Sequence, residues 1–178
     1  MSKPSKQEIL ERYDELGQEL YDLRYTEEQK AKYTAILVEL DEISLLLDNG
    51  CGTGLLFSYI EAQTVGLDLS SKLLAKALKR TKDNQYLIQG DSEHLPFKDS
   101  TFDALVSITV IQNLPNPDSA VAESVRVTKN DSIIIISSLK SVYSEEEISR
   151  LIENDELFVM KIFTKENVND WITVSTRK

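Results

Sequence analysis

The chain has 178 residues, the length of one domain with a buried core, and its 30 acidic residues against 20 basic ones leave a net charge of −10. That charge repels nucleic acid at long range, so any bound polyanion must meet a local basic patch or a partner subunit. The single cysteine, Cys51, excludes an internal disulfide and a cysteine-built zinc site, and no apolar run is long enough to span a bilayer.

The opening MSKPSKQEIL lacks a signal-peptide core, and the expectation is a soluble cytoplasmic protein. Two helical patterns follow. Ile9, Tyr13, Leu16, Leu20 and Leu23 form one apolar stripe, and Ile36, Leu37 and Leu40 belong to a second. Tyr13, Tyr21, Tyr25 and Tyr33 are dense for two helices. LLLDNGCGTGLL, residues 45–56, then reads as a buried strand ending in an acid, a turn with Gly50, Gly52 and Gly54, and a helix carrying Leu55, Leu56, Tyr59 and Ile60. Strand, glycine turn and helix is the arrangement in which open α/β sheets bind nucleotide-like ligands. A dinucleotide fingerprint would want its last glycine at position 55, where Leu55 stands.

TVGLDLS is a short strand ending at Asp68, with Ser70 placed to cap the helix SKLLAKALKR. YLIQGD and FDALVSITVI read as third and fourth strands. Asn116 before Pro117 is a cap and first-turn proline for the helix DSAVAESVRV. SIIIISS is a buried strand, and Ser144 with Glu147 forms a capping box for the next helix. LFVMKIFTKENVNDWITVSTRK is two strands around the polar turn Thr164–Asn169. No repeat, low-complexity tract or linker interrupts the chain. Residues 1–178 therefore read as a single domain, with N-terminal helices over 1–42, a core over 43–139 and a helix plus hairpin over 140–178. Alternating βα units and a terminal hairpin make a three-layer α/β fold.

LLLDNGCGTGLL, VGLDLS and QGDSEHLPFKDSTFDALVS, in this order, resemble the linked motifs of the class I S-adenosylmethionine-dependent methyltransferases over about residues 42 to 138. The resemblance implies a seven-stranded, mostly parallel Rossmann-like sheet with helices on both faces and a C-terminal antiparallel β-hairpin. It implies S-adenosyl-L-methionine as cofactor and no metal. Such proteins often carry a Pro-Gly turn before the fifth strand. Here TKNDS stands there, and Asn130 and Asp131 tolerate the left-handed conformation that such a turn needs.

By the same resemblance, Asp48 and the glycines 50, 52 and 54 face the amino-acid end of the cofactor. Asp68 would take the ribose, for a carboxylate at the end of a parallel strand can accept from both hydroxyls. Leu69 would wall the adenine, Asp91 would accept from its amino group, and Ser92 would meet the ring. Ile108 and Thr109 would border the methionine part. Asp48 and Asp91 also read as plain turn carboxylates. Gln112 and Asn113 are the candidate catalytic pair, placed to position a methyl acceptor or else to cap the helix at Asn116. His94, the only histidine, has no assigned role, and Cys51 reads as space-filling. Lys72, Lys76, Lys79, Arg80 and Lys82 form the one cationic stripe, readable as a solvated face or as a phosphate contact.

Methyl transfer from a sulfonium needs alignment more than covalent catalysis, consistent with the lack of a triad or carboxylate pair. The chain has little from which to build a lid beyond its first helices. SITVIQNL is also similar to the matching stretch of ribosomal-RNA guanine-N7 methyltransferases, which work with a small zinc-binding activator protein. The expectation is an RNA or protein acceptor, with a small activator protein at the edge strand YLIQ. The rivals are a small-molecule (quinone, lipid or metabolite) methyltransferase closed by the Tyr-bearing helices, and a non-catalytic relative that binds the cofactor or only a partner.

Overall fold

The computed structural model describes residues 5–15 and 18–178, with side chains described outside residues 12–26. Helices α1 (Lys6–Glu15) and α2 (Gln18–Ile36) precede strand β1 (Leu45–Asn49). Then follow β2 (Gln63–Asp68), α3 (Ser71–Ala77), β3 (Gln85–Gln89), β4 (Phe102–Ser107), α4 (Pro117–Val127) and β5 (Thr128–Leu139). Helix α5 (Glu145–Ile152) and strands β6 (Leu157–Phe163) and β7 (Asp170–Arg177) complete the chain. One seven-stranded sheet has the order β3-β2-β1-β4-β5-β7-β6. The first five strands are mutually parallel, and β7 runs antiparallel between β5 and β6. This is the Rossmann-like sheet with a terminal hairpin that the sequence implied.

Both faces of the sheet are buried, and side chains alternate between them with the period of a strand. Leu47, Leu105, Ile134 and Ile136 face α4 and α5, which present Val121, Val125, Ile148 and Ile152. Leu46, Ala104, Val106 and Ile135 face the other way, onto Tyr33 and Ile36 of α2. Tyr33 is therefore a core residue, its ring centroid 5.7 Å from that of Tyr59. The stripe residues Tyr13, Leu16, Leu20 and Leu23, and the tyrosines Tyr21 and Tyr25, lie outside the described side chains.

Local signals placed several ends correctly. Ser70 Oγ accepts from the Leu73 N–H and Asn116 Oδ1 from the Ser119 N–H. The Ser144–Glu147 capping box is present in both directions. The turn at TKNDS exists inside β5, where the register against β4 jumps from Thr128 to Ile133 and Asp131 adopts φ 61°.

Three elements are shorter than the sequence pattern suggested. The fourth strand stops at Ser107, and α3 stops at Ala77. The helix expected after the glycine turn is only a 3-10 helix, Leu55–Tyr59, with Ile60 already extended. A parallel crossover needs about a dozen residues at minimum, and residues 50–62 are barely enough. The chain must spend them on reaching β2, and α2 fills the face that a longer helix would cover. Leu56 packs toward α2, while Phe57 packs with Cys51 toward Leu74 and Ala77 of α3.

Gly66 of β2 makes that packing feasible, since a Cβ there would lie 2.5 Å from Phe57 Cζ and 2.9 Å from Cys51 Sγ. Gly66→Ala should destabilise the fold by about 1–3 kcal/mol through overpacking. A lowered urea midpoint with unchanged slope is the expected readout, and an unchanged midpoint would show that Phe57 yields freely.

Candidate functional site

The carboxyl ends of the parallel strands carry the candidate residues, as ligand sites of open α/β sheets do. The glycine turn is pinned there by one acceptor: the Leu67 carbonyl receives both the Gly50 N–H (2.7 Å) and the Cys51 N–H (2.9 Å). Gly50 has φ +85°, and a Cβ on it would collide with Val110 Cγ2, so the turn and the loop after β4 fit only with hydrogen at that position. Gly52, at φ 55°, donates its N–H to Asp68 Oδ2 at 2.9 Å. Asp68 Oδ1 accepts the Ser70 N–H at 2.9 Å, which fixes the carboxylate from both sides.

A cleft opens above these groups. From the sequence-derived set, Gly50, Gly52, Asp68, Leu69, Asp91, Ser92, Ile108, Thr109 and Asn113 line it. Asp48, Gly54 and Gln112 are not in its wall. Gly54 caps the 3-10 helix at φ 73° and contacts Phe57 and Ala77. Asp48 is buried behind the turn, where burial and then the Asp68 charge raise its pKa to about 8. Asp68 is raised as well by burial, although the backbone N–H groups of Ser70 and Gly52 oppose the shift. Two acids in so small a volume disfavour joint ionisation unless a cation arrives.

Asp91 is already engaged. Its Oδ2 accepts from Lys6 Nζ at 2.5 Å and lies 3.2 Å from His94 Nδ1, while Oδ1 accepts the Glu93 N–H. Burial pushes its pKa up, but the Lys6 ammonium and these hydrogen bonds hold it below the usual range. Lys6 also pairs with Glu93 at 2.7 Å. Ser92 Oγ donates to Asn49 Oδ1 at 2.7 Å, tying the end of β3 to the end of β1. Gln112 and Asn113 both turn their amide nitrogens onto the Thr109 carbonyl, at 2.6 and 3.2 Å. Thr109 itself has φ 63°, a costly conformation for a β-branched residue, of order 1–3 kcal/mol.

Sequence reasoning missed part of the wall. Lys6, Ile9 and Leu10 of α1 cover the cleft, and Leu73, Val110, Leu114 and Pro115 extend its apolar lining. Ile9 was legible only as one member of a helical stripe, and nothing local marks Lys6 of α1 as the partner of an acid in the loop after β3. Among the cationic stripe, Arg80 Nη1 donates to the Thr53 carbonyl at 2.6 Å and Lys82 lies 3.3 Å from Glu61. Cys51 is buried and its thiol is held protonated by burial, so it fills space. Asp91, Glu93 and His94 bring their ligand atoms within 4.8 Å of one another, but Lys6 already supplies the cation there.

The cleft suits the nucleoside of S-adenosylmethionine. Each Asp68 oxygen has a further acceptor site for a ribose hydroxyl. Leu69, Leu73, Leu114 and Pro115 offer apolar walls to a base.

Residues 47–136, about half of the chain, match the family described as methyltransferase domain. The malonyl-[acyl-carrier protein] O-methyltransferase of Hamiltonella defensa is 36% identical over 99 residues, covering 54% of this chain and 38% of that protein. The 18S rRNA (guanine(1575)-N(7))-methyltransferase of Saccharomyces cerevisiae is 35% identical over 88 residues, covering 47% of this chain and 32% of that one. The chain spans about half or less of the length of these curated relatives. A methyltransferase solved in complex with the Haloferax volcanii Trm112 methyltransferase activator superposes with TM-score 0.75 at 16% identity, over 93% of this chain and 97% of that chain, which is a likeness of fold. On the family match and the order of its strands, the chain belongs to the class I S-adenosylmethionine-dependent methyltransferases.

Proposed function

We propose that this chain transfers a methyl group from S-adenosylmethionine to an RNA or protein acceptor, assisted by a small partner protein on the edge strand β3. The observation that carries the cofactor reading is the Asp68 carboxylate, fixed by two backbone N–H groups in the wall of the cleft beside the glycine turn. Bound S-adenosylmethionine would supply an activated methyl group on a sulfonium. The chain's own residues then bind and orient. Asp68 accepts from the ribose, Leu69 packs on the base, and Asp91 with Ser92 meets the base edge, sharing the Asp91 carboxylate with Lys6 or displacing it. Asp48, behind the glycine turn and outside the cleft wall, would favour the cationic amino group through its charge and not by contact, and Ile108 and Thr109 border the methionine chain. Gln112 and Asn113 hold the Thr109 carbonyl, and the Asn113 side of the cleft is where an acceptor would be aligned. Alignment of this kind is the main catalytic contribution such a reaction requires.

The likeness to the yeast ribosomal-RNA enzyme favours a macromolecular acceptor, and the net charge of −10 then calls for a partner to bring RNA close. Among the described residues strand β3 is an edge that pairs with β2 alone, and it exposes Tyr86 next to α3, whose capping Leu78 is also exposed. Its free N–H and C=O groups would suit addition of a strand from a partner. That a chain of the same fold was solved in complex with a methyltransferase activator supports a small protein as the partner. A second reading, a small-molecule acceptor, draws on one specific observation: α1 closes the cleft with the apolar residues Ile9 and Leu10.

Calorimetry should find one site for S-adenosylhomocysteine and none for NAD. Asp68→Ala should weaken that binding by about 1.5–3 kcal/mol, or roughly tenfold or more, as two hydroxyls lose a charged acceptor. Unchanged affinity in a folded variant would make Asp68 a strand-end residue only. Turnover of RNA or protein fractions with labelled cofactor should require co-purified partners, whereas robust turnover of a metabolite by the isolated chain would promote the second reading.

Asp48 generates a pH prediction. Its folded pKa of about 8 exceeds the ordinary 3.8, so the stability it contributes is fully present below about 4 and is lost as pH rises through about 8. Denaturant midpoints of the free protein should fall between pH 5 and 9 by more in the wild type than in Asp48→Asn. A cation beside Asp48 favours the ionised form, so affinity for S-adenosylhomocysteine should rise from about pH 6 to 8 with proton release. Parallel curves for wild type and Asp48→Asn in both measurements would remove Asp48 from the site.

A further inference from the structure

Beneath the loop after β4 lies a buried polar network that meets the cleft only through Thr109. Lys32 of α2 is 1% exposed and Asp170 at the start of β7 is 0% exposed. Lys32 Nζ donates to Thr109 Oγ1 at 2.9 Å and forms ion pairs with Asp170 Oδ1 at 2.8 Å and Glu28 Oε1 at 3.2 Å, the Asp170 Oδ1 contact being electrostatic and without hydrogen-bond alignment. Asp170 Oδ2 accepts from Thr109 Oγ1 at 2.8 Å and from Ser137 Oγ at 2.6 Å. Ser137 Oγ in turn accepts the Thr109 N–H at 2.9 Å. Thr109 is thus bonded through its N–H and its hydroxyl to groups from α2, β5 and β7, and through its carbonyl to Gln112 and Asn113.

All of these bonds converge on the one residue of the cleft wall that is both β-branched and left-handed. Left to itself, threonine would leave φ 63° for an extended or helical conformation. Its neighbour Val110 would then lose its seat on Gly50, the glycine of the cofactor turn. A buried ion pair is weak as a source of net stability, because desolvation offsets much of the attraction, so its better-supported use is to select one arrangement.

We propose that the Lys32–Asp170 pair is a positioning pair, which holds Thr109 in its left-handed conformation and so sets the Ile108–Val110 wall of the cofactor cleft. Neither residue lines the cleft, and both act through Thr109. The proposal deepens the cofactor reading above and rests on it only for the binding readout. If the competent loop falls to a minority population, apparent affinity falls by that fraction.

The test is a cycle on the full chain. Lys32→Met with Asp170→Asn removes both charges without stranding either one, and Thr109→Gly removes the conformational demand. The double variant should bind S-adenosylhomocysteine roughly tenfold more weakly than wild type, and adding Thr109→Gly to it should restore most of the loss. A second readout needs no ligand: in methyl-labelled NMR spectra, the Val110 methyl contact to the Gly50 α protons should be present in wild type, lost in the double variant and regained with Gly at 109. Ser137→Ala, a smaller change, covers the case in which the double variant does not fold, and it should weaken binding a few-fold with partial loss of the same contact. A purely structural role would lower the melting temperature of these variants while affinity and the Val110 contact stay at wild-type values, and that result overturns the proposal. Absence of wild-type binding with the Val110 contact behaving as expected would sink the cofactor reading and leave the positioning pair standing.

Discussion

The carbonyl of Leu67 holds the site together. By accepting two N–H groups from the glycine turn, it fastens the end of β1 to the end of β2. From that attachment follow the reach of the Gly52 N–H to Asp68, the confinement of Asp48 behind the turn, and the platform on which Val110 rests. The turn buries both acids, and burial raises their proton affinity, with the Asp68 charge adding to the shift at Asp48.

Much of this was readable from local chemistry. Asn116–Pro117, Ser70 and the Ser144–Glu147 pair declare their helix starts, because a cap is a contact between residues two or three apart. Asp131 declared its turn for the same reason. The order of acids and glycines marked where the cleft would open, since both strand ends lie within a few residues of the motifs that name them.

What was illegible has a common cause in sequence distance or chain length. Lys6 meets Asp91 across 85 positions, and no pattern near either residue announces the pair. Lys32 reads as one more solvent-facing lysine of a helix until β7 supplies Asp170. Thr109 was identifiable as a position but not as a left-handed residue, for a β-branched side chain argues against that conformation and only its five hydrogen bonds overrule it. The missing helix after Gly54 is a matter of reach. Leu55, Leu56, Tyr59 and Ile60 keep helical spacing, yet residues 50–62 must also cross to a parallel neighbour.

The placement of β7 between β5 and β6 has a consequence for the order in which the molecule is made. Glu28 of α2 bonds to Asn169 across 141 positions, and Lys32 beside it pairs with Asp170. During synthesis α2 therefore emerges well over a hundred residues before its polar anchor at the start of β7. The five parallel strands can assemble earlier, but the wall at Thr109 lacks Asp170 until β7 has inserted between its two neighbours. Such late, long-range closure is slow, and it leaves the edge of β5 bare in the meantime. The cleft thus becomes complete later than the parallel strands that carry it, and a nascent chain that stalls before β7 holds the glycine turn and Asp68 while Thr109 still lacks its Asp170 anchor.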